Sequence, residues 1–303
     1  MSENKANPEK FNSVKFDEII KKIQARAKEN SAKKDEKAAE TSVKIFLPGM
    51  NEVMRAMPNY LARGSIFAPV ARGRKKMHND TVFWETDFTI LTGFGLQLTE
   101  DLADIWMHAI YLASQIPLGE SVTINRAEFL RAIGRNDDLR SYQWLYAGVT
   151  SLSKFTISII AKKSNGVVKY SIGKNESSRV MQMLGGFDYD EKTGQYSLVV
   201  DPRWKLMFGN REYALVDWEK RLQISQGLDL AKSIQRLVAT SDDKIQRFSL
   251  EYLKGRAQSE GRMRDFKESL LKAMQELERL NIISHSKIEL STKGVEQATW
   301  NKI

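Results

Sequence analysis

The chain has 303 residues, 42% hydrophobic and 28% charged, enough apolar matter for two domains of ordinary size and an appendage. Its formal net charge of +9 makes a polyanion the natural class of partner. Zero cysteines exclude disulfides, thiolate metal sites and a cysteine nucleophile, while His78, His108 and His285 lack ligand spacing, so no metal and no cofactor are expected.

No apolar run approaches the length of a membrane span, and MSENKANPEK lacks a signal-peptide core, so the expected setting is the cytoplasm with no membrane partner. The basicity is modular. Segments 1–45, 126–163 and 247–272 carry net charges of +3, +4 and +3, which accounts for the whole excess.

Residues 1–45 read as a partly disordered basic tail. Val14, Phe16, Ile19, Ile20 and Ile23 suit a short amphipathic helix, but KENSAKKDEKAAET runs without an apolar stripe. Residues 46–80 hold three of the six prolines and no sustained periodicity, and they read as a linker.

A first module is expected over 81–175. VFWETDFTILTGFGLQL predicts a hairpin turning at Thr92-Gly93, and Thr99-Glu100-Asp101 opens a helix with acids in its first turn. IPLGESVTI predicts a strand, and Asn125 caps a helix that Gly134 ends. A longer helix follows from about Leu139 to Ser153, with Leu139, Tyr142, Leu145, Tyr146, Val149 and Leu152 as its buried face. FTISIIAKKSNGVVKYSI predicts a hairpin whose tip carries Lys162 and Lys163.

A second module is expected over 176–303. It holds a hairpin around Asp190–Gly194, a short helix after Pro202, and a helix from about Leu228 to Ala239. RFSLEYLKGRAQ supplies a strand and a short helix. From Gly261 to Leu280, Phe266, Leu270, Met274, Leu277 and Leu280 recur three and four residues apart, marking one helical face. Arg262, Arg264 and Lys267 crowd its first two turns, where a helix dipole disfavours cations unless an anion docks there. The closing hairpin carries Lys287 and Lys293. The same order of helices, strand and basic hairpin thus occurs twice, and the expected fold class is α+β: two tandem winged-helix domains behind a basic tail.

In such modules one helix presents its N-terminal residues to base edges while neighbouring side chains hold phosphates. The candidate DNA-binding residues are Arg126, Arg135, Arg140, Ser141, Gln143, Lys154, Lys162 and Lys163 in the first module. In the second they are Arg256, Ser259, Arg262, Arg264, Lys267, Lys287 and Lys293. Ser259 also suits a helix N-cap. Gly93-Phe94-Gly95 lacks the residues of a phosphate loop, no nucleophile elbow occurs, and Asp137-Asp138 and Asp242-Asp243 are better explained as caps and turns. No catalytic residue is expected, and the chain is not expected to be an enzyme.

Met54-Arg55-Ala56-Met57-Pro58-Asn59, followed by Ala62-Arg63, Ser65 and Phe67, resembles the corresponding segment of TrfA-type plasmid replication initiators. The likeness runs from about Ser42 to Ile288. Arg140 and Tyr142 match an arginine-tyrosine pair in that family, Gln143 and Trp144 depart from it, and Arg262, Phe266 and Glu268 coincide with its pattern. The resemblance implies a protein of the bacterial cytoplasm that binds repeated origin sequences, iterons, in double-stranded DNA as a monomer. It further implies origin opening, recruitment of host initiator, replicative helicase and sliding clamp, and self-dimerisation into an autorepressing form. Relatives bear a clamp-binding peptide just before this segment, where this chain has Val43-Lys44-Ile45-Phe46, without the glutamine and with Ile45 for leucine. The hairpin from Val82 to Leu98 is the expected dimer surface. The alternative function is a winged-helix transcriptional repressor with no replication role.

Overall fold

Residues 54–68 of the expected linker are built into the interior. In the computed structural model, which describes residues 47, 50–70, 75–173, 179–209 and 212–303, MRAMP forms strand β1 (Met54–Pro58), followed by α1 (Asn59–Arg63) and β2 (Phe67–Ala68). Ala56, Met57, Leu61 and Phe67 are fully buried. A strand buried on both faces loses the apolar-polar alternation that announces a strand, which is why this stretch shows no period. The tail and the peptide Val43–Phe46 lie outside the described residues.

Strands β3 (Met77–Thr86) and β4 (Thr89–Leu96) form the first hairpin, but it turns at Asp87-Phe88. The expected turn, Thr92-Gly93, lies in mid-strand. A Cβ at Gly93 would stand 2.8 Å from the Phe155 ring and 2.9 Å from that of Phe83, so this glycine serves close packing of rings against the backbone. Strand β5 (Leu98–Thr99) pairs with β2 and leads into helix α2 (Glu100–Ala113).

Strand β6 (Ser121–Asn125) and helices α3 (Arg126–Ala132) and α4 (Leu139–Lys154) fall where the sequence puts them. Asn125 caps α3 by accepting from the amides of Ala127 and Glu128, and Asp138 caps α4 through the Ser141 amide at 2.8 Å. Leu145, Val149 and Leu152 are buried. Leu139 is not: at the first position of α4 it is 72% exposed, and Tyr146 is 48% exposed.

Strands β7 (Thr156–Lys162) and β8 (Val168–Ile172) make the expected hairpin, but on a different sheet. They continue the β3–β4 hairpin in the order β3-β4-β7-β8, with β9 (Met181–Gln182) also on β7. The partners of β6 are β11 (Gln195–Val199) and, beyond it, β10 (Phe187–Asp190), assigned from sequence to the second module. Hairpin patterns reveal local pairing and are blind to which sheet the pair joins.

Helix α5 (Trp204–Phe208) precedes β12 (Tyr213–Asp217), which returns to pair antiparallel with β1, and α6 (Trp218–Leu222) follows. The rest of the chain is α7 (Asp229–Val238), β13 (Ile245–Ser249), α8 (Leu250–Arg256), α9 (Met263–Arg279), β14 (Ile283–Leu290) and β15 (Glu296–Lys302), with sheet order β13-β15-β14. The fold is mixed α+β, and one order of elements occurs twice. The run α2, β6, α3, α4, β10, β11 matches α7, β13, α8, α9, β14, β15, in element type and in strand order within the sheet. Strands β7 to β9 are an insertion in the first copy.

Two apolar cores result, one drawn from residues Leu47 to Trp218 and the other from Ile224 to Trp300, within one compact unit, Ile45–Ile303. Ion pairs join the first helix of each copy. Glu100 on α2 meets Arg236 on α7 and Arg221 on α6, and Asp104 meets Arg221 and Lys232. Glu100, Arg221 and Arg236 are fully buried. Burial opposes ionisation of Glu100, but the two guanidiniums outweigh it and hold the carboxyl below its ordinary range. Glu100, which looked like a first-turn dipole partner, is therefore an anion of a buried clasp, with Asp104 as the second.

Candidate nucleic-acid interface

Helix α4 turns Arg140, Gln143 and Ala147 to solvent, on the side away from Leu145, Val149 and Leu152. Lys154 is exposed at its last residue, and Ser141 is half-buried with its amide held by Asp138. Two of the expected arginines lie beside this face with their charge already engaged. Arg126 is 4.5 Å from the Tyr142 ring centre and 5.2 Å from that of Tyr189, and donates to the Tyr189 hydroxyl at 3.0 Å. It ties α4 to the β10–β11 hairpin. Gly194 in that hairpin has φ +67°, and a Cβ there would stand 2.7 Å from the Arg126 guanidinium. Arg135 lies 3.5 Å over the Trp144 ring and 3.1 Å from Asp101. Trp144, which departs from the family pattern, is thus roofed by an arginine.

Lys162 and Lys163 are exposed at the tip of the inserted β7–β8 hairpin, on a sheet that excludes β6. The hairpin beside α4 in the strand order is β10–β11. Its tip, Asp190-Glu191-Lys192-Thr193-Gly194, is not basic. The basic first-module tip is thus corrected: local pattern found a basic hairpin, and long-range pairing chose another.

In the second copy, α9 starts with Arg262 as N-cap and no side chain caps its free amides. Ser259 is not the cap. It lies four residues before the helix, its amide bonded to the Lys254 carbonyl at 3.1 Å. Arg262 and Arg264 are exposed, Arg264 within 3.6 Å of Asp265. Lys267 reaches Glu296 on β15 at 2.5 Å, and Lys287, in β14 and not at the tip, pairs with Glu289 at 2.6 Å. Lys293 is exposed in the turn of the hairpin. Such solvent-exposed pairs contribute roughly 0–1 kcal/mol, so each lysine can exchange its carboxylate for another anion at little cost.

Arg256 leaves the interface. It is 5% exposed and donates to the carbonyls of Ala62 (2.6 Å), Arg63 (3.1 Å) and Ser233 (2.8 Å) and to the Ser233 hydroxyl (2.6 Å). Burial, with Arg236 nearby, lowers its pKa to about 10. The Met54–Asn59 motif is structural in the same way. Arg55 lies 3.8 Å over Tyr111 and 4.9 Å over Trp218, donating to His108 Nδ1 at 3.3 Å. Arg221, Arg236 and Asp104 were missed, and Arg55 and Glu100 were named only for a motif and a first turn, not for their buried role. Their signal was a charge set inside an apolar run, as in MRAMP and SIQRLVA.

Residues 14–291 match the family described as TrfA protein. A curated relative, the plasmid replication initiator protein TrfA of Escherichia coli, is 23% identical over 177 residues, or 57% of this chain and 44% of that protein. The chain thus spans less than half the length of that relative. Among solved structures, the crystal structure of domains 2 and 3 of RctB superposes with a TM-score of 0.52 at 12% identity, covering 81% of this chain and 98% of that one. The likeness shows a common fold.

Proposed function

The chain belongs to the TrfA family, and we propose that it initiates plasmid replication by binding iterons in duplex DNA through two winged-helix modules. One observation carries the reading: the same order of elements occurs twice, and each copy turns an arginine-bearing face of its longest helix, α4 or α9, away from its core. Helices of this placement enter successive major grooves about one turn, roughly 10 bp, apart. Arg140 suits guanine and Gln143 adenine, each bidentate contact worth roughly 1–3 kcal/mol of discrimination. Arg262 and Arg264 flank the uncapped amides of α9, an arrangement suited to phosphate.

Opening of the duplex follows from binding energy used to bend and unwind it, with no nucleotide hydrolysis by this chain and no catalytic residue. The monomer is the initiating form. Self-association uses the solvent face of β3–β4, where Met77, Val82, Phe94 and Leu96 are exposed. Host initiator and helicase join at the opened origin. Val43–Phe46 is the clamp contact, and failure of a peptide spanning 41–48 to compete for clamp removes that part.

Footprinting on the DNA flanking its own gene tests the whole. Protection should cover two helical turns, and affinity should fall roughly 10³–10⁵-fold between 50 and 200 mM salt if six to ten phosphates are neutralised. Adjacent A·T-rich DNA should become reactive to single-strand probes. Protection of a single groove, or a flat salt response, overturns the reading. Protection without opening makes the protein a repressor.

A further inference from the structure

The core-averted stripe of α9 contains two side chains that general affinity for a polyanion does not explain. Arg264, Glu268, Leu271 and Gln275 follow one another four, three and four residues apart, opposite the buried Phe266, Leu270, Ala273 and Leu277. Leu271 is 43% exposed on this otherwise polar stripe. Glu268 is exposed and forms no ion pair among the described residues. Arg264 faces Asp265, and Lys267 faces Glu296. Lys272 stands at the spacing of a helix ion pair with Glu268 and does not take it up. A bare carboxylate is repelled by phosphates, and an exposed leucine gains nothing from them. Both become favourable against base edges, where a carboxylate accepts from the amino group of cytosine and an apolar side chain covers the methyl group of thymine.

We propose that α9 reads a cytosine through Glu268 and a neighbouring thymine methyl through Leu271. This rests on the duplex-binding function above and specifies its target. The corresponding stripe of α4 carries Arg140 and Gln143, which suit purine edges, where α9 has Glu268 and Leu271. The two helices differ in what they read, so each binding site is asymmetric: two unlike halves in fixed order, with neither a palindrome nor a repeat inside it.

The test uses the full chain and duplexes carrying its footprinted site. Each thymine of the α9 half is replaced in turn by deoxyuridine, which deletes only the methyl group. At one position the wild-type chain should lose about fourfold in affinity, the worth of one methyl group removed from water. Leu271→Ala, at an exposed position, should bind thymine and uracil there equally. Replacing one C·G pair in the same half should lower wild-type affinity about tenfold, and Glu268→Ala, which removes the acceptor at an exposed position, should abolish that preference while keeping the wild-type melting temperature. A wild-type chain indifferent to every deoxyuridine, or a Leu271→Ala chain that suffers the same loss at the same position, overturns the proposal. Failure to bind the unmodified duplex overturns the duplex-binding function itself, and is seen before any base is changed.

Discussion

Arg256 and Arg264 belong to one basic run and have opposite fates. The first is interior, its guanidinium divided among backbone carbonyls, and the second is solvated. Counting cations locates a basic region but cannot distinguish structural charge from binding charge, because the distinction lies in partners brought from distant sequence. Ala62 and Arg63 stand nearly two hundred residues before Arg256. His108 shows the same dependence and links stability to pH. It is 4% exposed, set against Phe129, Tyr111 and Trp218, with the Arg55 guanidinium on Nδ1. Burial, and then Arg55, push its pKa down to about 3. In an unfolded chain it is about 6.5. Below that pH the unfolded chain takes up a proton that the folded chain refuses, so stability that is full at pH 7 is lost as pH falls towards 3. Between pH 6.5 and 5 the loss is about 2 kcal/mol. The carboxylates held low by arginines, such as Glu100, begin to contribute only at lower pH. Thermal unfolding at pH 7, 6 and 5 should therefore show a falling melting temperature for the wild-type chain and a flatter profile for His108→Gln. Parallel profiles would refute the assignment.

Among elements, the inserted sheet carries the proposed self-association. Strand β3 lies at its edge, and Met77, Val82, Phe94 and Leu96 place apolar area in water on one face. Phe94→Lys sets a charge in that face without touching either repeated module. In sedimentation it should weaken self-association at least tenfold, since one desolvated aromatic side chain contributes roughly 1.5–3 kcal/mol, and leave affinity for a single footprinted site unchanged. An unchanged dimerisation constant would clear this face. The same elements show what the sequence makes legible. Amphipathic helices announce themselves, since α4, α7 and α9 each bury one stripe, and so do side-chain caps such as Asn125 and Asp138. Strand pairing did not, because β7–β8 and β10–β11 are equally good hairpins and only long-range contacts decide which joins β6. The segment 46–80 was least legible of all. Its stretch 54–68 is buried between other elements, which erases periodicity. The outward helix faces could be read early for the converse reason: solvent selects their composition, and the 3.6-residue period then sorts it from the core.

For the whole molecule, the decisive feature is the joint between the two repeats. Glu100 and Asp104 on α2 hold Arg221, Lys232 and Arg236, while Arg236 also donates to the carbonyls of Leu61 and Phe67, at 3.2 and 3.1 Å. Buried ion pairs add little net stability, but they tolerate almost no misalignment, because separating one leaves an uncompensated charge at a cost of about 3–5 kcal/mol. Such a joint fixes one geometry. The α1–β2 segment lies inside it, so the joint resists both hinge and shear. If two modules on a flexible tether bound DNA, ten extra base pairs between their half-sites would restore the helical face and much of the affinity. For this chain the joint forbids it. Inserting 5 bp or 10 bp between the half-sites should reduce binding to the level of one module alone. The two insertions should differ by less than tenfold, where a tethered pair of modules would recover strongly at roughly one turn. Recovery with the 10 bp insertion would mean that the clasp opens on DNA. Without recovery, both helices meet the duplex as one rigid body, and any mismatch between their fixed spacing and straight DNA must be taken up by the DNA. In the proposed opening of an origin, that requirement would make the buried clasp a source of the bending force.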